Sequence, residues 1–154
     1  MAGKIDARLG ELGISLPEAA APVANYVAFV RSGNLLHVSG QIAQDENGPV
    51  KGKLGADMET AAGAAAARRC ALSLIAQVRA ACDGDLDRVV RVVKLNGFVN
   101  SAPDFTDQPK VINGASDLMV EVFGDAGRHA RSAVGVAGLP LGVAVEIDAV
   151  FEIA

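Results

Sequence analysis

Arg131 and Glu146 are the residues of this chain best suited to chemistry. Each interrupts an otherwise apolar run, Ala130-Arg131-Ser132-Ala133-Val134 and Val143-Ala144-Val145-Glu146-Ile147. Between them, Gly138-Leu139-Pro140-Leu141-Gly142 reads as the turn of a hairpin. Charged groups are rarely buried without a partner. The pair is therefore either a structural ion pair on neighbouring strands or a site. A guanidinium offers a planar fork that grips a carboxylate or phosphate through two hydrogen bonds. A glutamate can position or deprotonate a water. Side chains opposite one another on antiparallel strands have Cβ atoms about 5 Å apart. Pro140 and the flanking glycines leave the register open.

Three other features could serve such a site. Tyr26, the one tyrosine, opens a strand and could offer its hydroxyl to a ligand. Ser39-Gly40-Gln41 closes the next strand, and Gly40 would allow a ligand close to the backbone. His129 stands two residues before Arg131, and its role is open; His37, in mid-strand, reads as structural. The two histidines and two cysteines have no metal-ligand spacing. No phosphate loop, dinucleotide fingerprint or Ser–His–Asp order is present.

These residues need elements to hold them. Residues 3–13 predict a short helix with Ile5, Leu9 and Leu12 on one face and Gly13 as its stop. Pro17 and Pro22 mark an extended connection. Tyr26–Arg31 and Leu35–Gly40 predict two strands around the turn Ser32-Gly33-Asn34. Residues 44–56 are polar and Gly-rich and predict a surface loop. Asp57 could cap a long helix reaching about Asp83, with Ala67, Cys70, Ala71, Leu74, Ile75, Val78 and Cys82 as its apolar stripe. Its Ala-rich first half gives a narrow surface that can approach a sheet closely. Val89–Val99 predicts a strand apolar at both parities, so both faces should be covered. A helix over 114–123 would turn Leu118, Met119 and Val122 inward. A final hairpin, 132–137 and 143–153, completes an α+β sheet with helices on one side. Two helices cannot cover both faces, so the spare apolar face points to another subunit.

The 154 residues suit a single domain, with residues 1–21 as an N-terminal helix and connection. Hydrophobic residues make up 51% and aromatics 4%, so the core must be built from Ala, Val, Leu and Ile. The net charge of −4 argues against nucleic acid as the main partner. Cys70 and Cys82 lie twelve helical residues apart, roughly 18 Å, too far for a disulfide. Reduced cysteines and a start without the apolar run of a signal peptide predict a cytoplasmic protein. No apolar run is long enough for a membrane span.

Taken in order, several segments resemble the YjgF/RidA family. They are Asn25-Tyr26, Ser39-Gly40-Gln41, Val89 to Val99, Pro103-Asp104-Phe105, Ala130-Arg131-Ser132 and Leu139 to Ile147 with Val145-Glu146-Ile147. The resemblance spans about residues 22–153. It implies a chorismate-mutase-like α+β fold, a homotrimeric barrel with helices outside, and sites in clefts between subunits. It also implies cofactor-free hydrolysis of reactive 2-imino and enamine acids to 2-oxo acids and ammonia. Carried over, Arg131 would bind the substrate carboxylate, Glu146 would hold or activate water, and Tyr26 would contact the substrate. Ser39, Gly40 and Asn113 would line the pocket, with Ser116 as the alternative to Asn113. Ala133 stands where active members often carry Cys or Thr, so only its backbone could serve. The 108–118 segment and the front helix resemble a branch often labelled endoribonuclease. Two other functions compete: a trimer that binds small carboxylate metabolites without turnover, and an endoribonuclease or translation inhibitor, which the acidic balance opposes.

Overall fold

The computed structural model describes residues 3–154. The first two residues of the predicted N-terminal extension lie outside that range. The chain runs α1 (Lys4–Glu11), β1 (Phe29–Ser32), β2 (Leu35–Ile42), β3 (Gln44–Asp45), β4 (Gly48–Pro49), α2 (Thr60–Ala81), β5 (Val89–Asn100), α3 (Gln108–Phe123), β6 (Ala130–Val136) and β7 (Val145–Ile153). Five strands form a mixed sheet in the order β1-β2-β7-β5-β6. Helices α2 and α3 pack together on one face.

The predicted elements form, with shifted bounds. β1 and β2 meet through Ser32 opposite Leu35, and Gly33 supplies the positive φ of 62° that the two-residue turn requires. Tyr26 does not open that strand; it precedes β1 in an exposed segment. The 44–56 loop is not wholly on the surface. It contains the β3–β4 hairpin, and Leu54 is fully buried. Asp57 does not cap α2. Its carboxylate accepts from the Lys53 N–H at 2.6 Å, and α2 begins after Glu59. α3 starts six residues before the predicted position, because Pro109 fits a helix's first turn, where no N–H is needed.

The final hairpin is corrected outright. β6 pairs in parallel with β5, and β7 runs antiparallel between β5 and β2. The parallel step is possible because α3 provides the crossover. β7 alternates buried and half-buried residues along its whole length and is paired on both sides; β6 stays at the edge. Pro140–Gly142 is thus a 3-10 turn between strands that are not neighbours in the sheet, with Leu141 and Gly142 at positive φ.

The narrow first half of α2 does approach a neighbour closely, but chiefly α3. A Cβ on Gly114 would collide with the Ala64 carbonyl, and one on Gly63 would meet Leu54 and Val111. Cys70 and Cys82 are free and buried in the core. Val92, Leu95 and Val99 of β5 face that core, whereas Val90 is about half exposed. The single chain therefore covers only one face of the sheet. No helix among the described residues is long and apolar enough to cross a membrane.

The front helix is attached through Asp87. Its carboxylate accepts the Lys4 and Ile5 N–H groups, each at 2.9 Å, and so caps α1 from 82 residues away. Gly3 leaves room for it: a Cβ there would stand 2.6 Å from Asp87 Oδ2. These two bonds hold the Asp87 carboxyl below its ordinary pKa. A group lowered in the folded state stabilises above its unfolded pKa and loses that effect as pH falls through the folded one. Asp87→Ala is expected to lower the melting temperature at neutral pH and expose residues 3–13 to protease. The difference from wild type should shrink in acid. Equal protease resistance would show that Leu9 burial and the Arg8 bond to the Glu121 carbonyl seat the helix without Asp87.

Candidate active site

The structure gathers Tyr26, Ser39, Gly40 and Glu146 on one cleft of about 480 Å³. Glu146 reaches it from β7, where it is paired with Ile42 of β2 and Phe98 of β5. Alternation along β7 turns Val145 and Ile147 to the helices and Glu146 to the open face. β2 has an irregularity between Val38 and Gln41. The extra residue there lets Ser39 and Gly40 face the cleft while Gln41 returns to the core. Gly40 is needed for contact with the carboxylate. A Cβ on it would stand 2.7 Å from Glu146 Oε2.

Ser39 serves the site through the backbone. Its hydroxyl donates to the Val27 carbonyl at 2.7 Å, and its N–H donates to the Ala28 carbonyl at 2.8 Å. These bonds tie the segment carrying Tyr26 to β2. Gln77, buried on α2, donates to the Ala20 carbonyl at 2.8 Å and anchors the preceding connection. Pro140 and Leu141 close the cleft opposite. In the sequence these two residues mark only a turn; in the structure the exposed Leu141 forms part of the cleft wall.

Glu146 is half-buried and has no ion-pair partner among the described residues. Burial raises its carboxyl pKa, and the nearby Asp148 charge raises it further. Asp148 is itself engaged, accepting from Asn96 Nδ2 at 2.7 Å. A partly desolvated carboxylate with a raised pKa is a better proton acceptor than an ordinary one.

Arg131 lies elsewhere. It sits on edge strand β6 opposite Leu95, and so on the helix-covered side of the sheet. β5 separates its strand from that of Glu146, and the paired positions on β5 differ by three residues. The offset is roughly 10 Å across and 10 Å along the sheet. The Arg131–Glu146 pair is therefore absent from the chain, since the two project from opposite faces. The guanidinium instead donates from Nη1 to Ser116 Oγ at 3.1 Å and from Nη2 to the Pro109 carbonyl at 3.3 Å. Ala133, two residues on, faces the same side, opposite Gly97. Asn113 is exposed on α3, on the stripe of Pro109 and Ser116 at i+4 and i+7. Both sequence candidates on α3 thus fall beside β6. His129 joins this group, whereas His37 is exposed on the sheet's open face.

The candidate residues thus form two clusters at opposite sides of one sheet. A cleft with a free carboxylate lies at β2 and β7, and the Arg131 guanidinium lies at β6. Gly40→Ala is expected to push the Glu146 side chain out of the cleft and reduce catalysis about tenfold or more, with little change in melting temperature, because Gly40 is exposed. Full activity in that variant would show that the Gly40–Glu146 contact does not set the carboxylate.

Comparison with known proteins places the chain in a family. A family model described as YjgF/chorismate mutase-like, "putative endoribonuclease", matches residues 6–151. Protein TCP17 of Trypanosoma cruzi is 59% identical over 153 residues, covering 98% of this chain and 95% of its own. A 2-iminobutanoate/2-iminopropanoate deaminase of Dermatophagoides farinae is 30% identical over 142 residues, covering 91% and 94%. A crystal structure named as a putative endoribonuclease from Shewanella oneidensis superposes with a TM-score of 0.92 at 36% identity, covering 98% of this chain and all of the other. With nearly the whole chain matched and the same mixed sheet in the relatives, this protein belongs to the YjgF/chorismate-mutase-like family.

Proposed function

We propose that this protein hydrolyses reactive 2-imino acids, and the enamines in equilibrium with them, to 2-oxo acids and ammonia. The carrying observation is Glu146, a half-buried carboxylate with no cationic partner among the described residues, set against Gly40 in an open cleft. A residue so placed is poorly explained by stability, since its charge is disfavoured where it sits. Similarity to an imine deaminase supplies the substrate class.

The separation of Arg131 from Glu146 supports a composite site. Arg131, Ala133 and Asn113 of one subunit would meet Tyr26, Ser39, Gly40 and Glu146 of the next in a cytoplasmic homotrimer. Exposed Val30, Leu35, Val90 and Val134 supply apolar area for that assembly. Arg131 would hold the substrate carboxylate and so orient the C=N carbon. Glu146 would take a proton from water as the oxygen attacks that carbon. Glu146 would pass that proton to the nitrogen, giving the carbinolamine; its C–N bond would then break as the hydroxyl becomes C=O, the hydroxyl proton leaving with the nitrogen as ammonia and the 2-oxo acid remaining. The C=N carbon is already electrophilic, so orientation and a placed water suffice without a cofactor.

Ammonia release from freshly generated 2-iminopropanoate and 2-iminobutanoate tests the reading. Acceleration over the uncatalysed rate, by a protein with the sedimentation mass of a trimer, is the expected result. Carboxylate binding without acceleration would replace it with a metabolite-binding role. A monomeric active protein would overturn the composite cleft.

A further inference from the structure

We propose that Ser116 and His129 are positioning residues that hold the guanidinium of Arg131 for a carboxylate ligand. The inference rests on the function proposed above and concerns this chain's own residues on α3 and before β6.

The direction of the hydrogen bonds follows from one carbonyl. The Gly127 oxygen can only accept, and it lies 2.6 Å from His129 Nδ1. Nδ1 therefore carries the proton in that bond. In the neutral ring Nε2 is then an acceptor, and the Ser116 hydroxyl 2.9 Å away donates to it. With its hydrogen committed, Ser116 Oγ faces Arg131 with its lone pairs and accepts from Nη1 at 3.1 Å. A chain thus runs from Gly127 through His129 and Ser116 to Arg131, each donor with one acceptor.

The chain has a consequence for recognition. The Ser116 bond and the second bond, to the Pro109 carbonyl, fix the plane of the guanidinium against α3. A guanidinium has five N–H donors. With these two engaged, about three remain, enough for a two-point grip on a carboxylate. None of the surrounding bonds involves an acidic side chain, so the positive charge is not neutralised before the ligand arrives. A long side chain held in place loses less rotamer freedom on binding. The chain should therefore act on affinity more than on turnover.

Binding of 2-oxobutanoate by calorimetry, beside imine kinetics, reads this out. Ser116→Ala is expected to weaken 2-oxobutanoate about tenfold and raise KM by a similar factor, with a much smaller change in kcat. Ser116→Thr, which keeps a hydroxyl, should recover most of the affinity. His129→Phe should weaken binding in the same direction. The double variant should be no worse than Ser116→Ala alone, because the two residues act in one chain. Unchanged affinity in both single variants, or additive losses in the double, would overturn the proposal while leaving the deaminase reading in place. A wild-type protein that neither binds 2-oxobutanoate nor hydrolyses imine would overturn both.

Discussion

Arg131→Ala is expected to reduce kcat/KM for 2-iminopropanoate by at least about a hundredfold. Two charge-assisted hydrogen bonds to a carboxylate, each contributing about 1.5–3 kcal/mol, account for that loss. Arg131→Lys should recover little, since an ammonium keeps the charge without the planar fork. The fold should survive. Arg131 occupies the edge strand, and its two bonds reach a serine hydroxyl and a helix carbonyl rather than a buried ion. The stability change should stay within about 1 kcal/mol. Kinetics and thermal unfolding of the same preparation separate the alternatives. If the variant unfolds or loses its assembly, Arg131 is structural and the carboxylate role falls. If activity persists in a folded variant, the substrate is held elsewhere.

Glu146→Gln is expected to lower kcat about a hundredfold to ten-thousandfold, the range for loss of a general base, with a smaller effect on KM. Stability should move the other way. The folded chain raises the Glu146 pKa, first by burial and then through Asp148. Folding thus favours the neutral carboxyl, and stability from this group falls as pH rises from the unfolded pKa through the folded one. Glutamine is a neutral isostere, so the variant should melt at the same temperature or higher near pH 7. Losing both activity and stability would mark Glu146 as structural. The acid limb of kcat/KM in the wild type should lie above the ordinary carboxylate range. Asp148→Asn removes the lesser cause and should move that limb downward without restoring the ordinary value. An unmoved limb would mean that another group titrates.

The elements were largely legible because they depend on local patterns. The stripe through Cys70, Leu74 and Val78 marked α2, and all three are fully buried. Gly13, read as a stop, and Gly33, read as part of a turn, both adopt positive φ. Two local signals misled. Asp57 looked like a cap because Asp is a good one, but its carboxylate was drawn to the Lys53 N–H. Tyr26 looked like the start of a strand because it adjoins apolar residues, yet its segment joins the sheet through Ser39, which donates to the Val27 and Ala28 carbonyls.

The sequence alone also singled out the residues that could do chemistry. Arg131, Glu146, Tyr26, Ser39 and Gly40 stand out because polar or flexible residues in apolar strands require a reason. It determined the mixed α+β class, since its helical and strand periods alternate in a definite order. It could not decide which strands are neighbours. A Gly-Pro turn between two apolar runs reads as a hairpin, but pairing is chosen by the whole sheet, where β5 can take β6 in parallel through α3 and β7 on its other side. That choice turned a candidate ion pair into a free carboxylate and a separate guanidinium on opposite faces. Alternation with period two fixes the face a residue takes along its own strand, but only tertiary pairing decides what stands beside it.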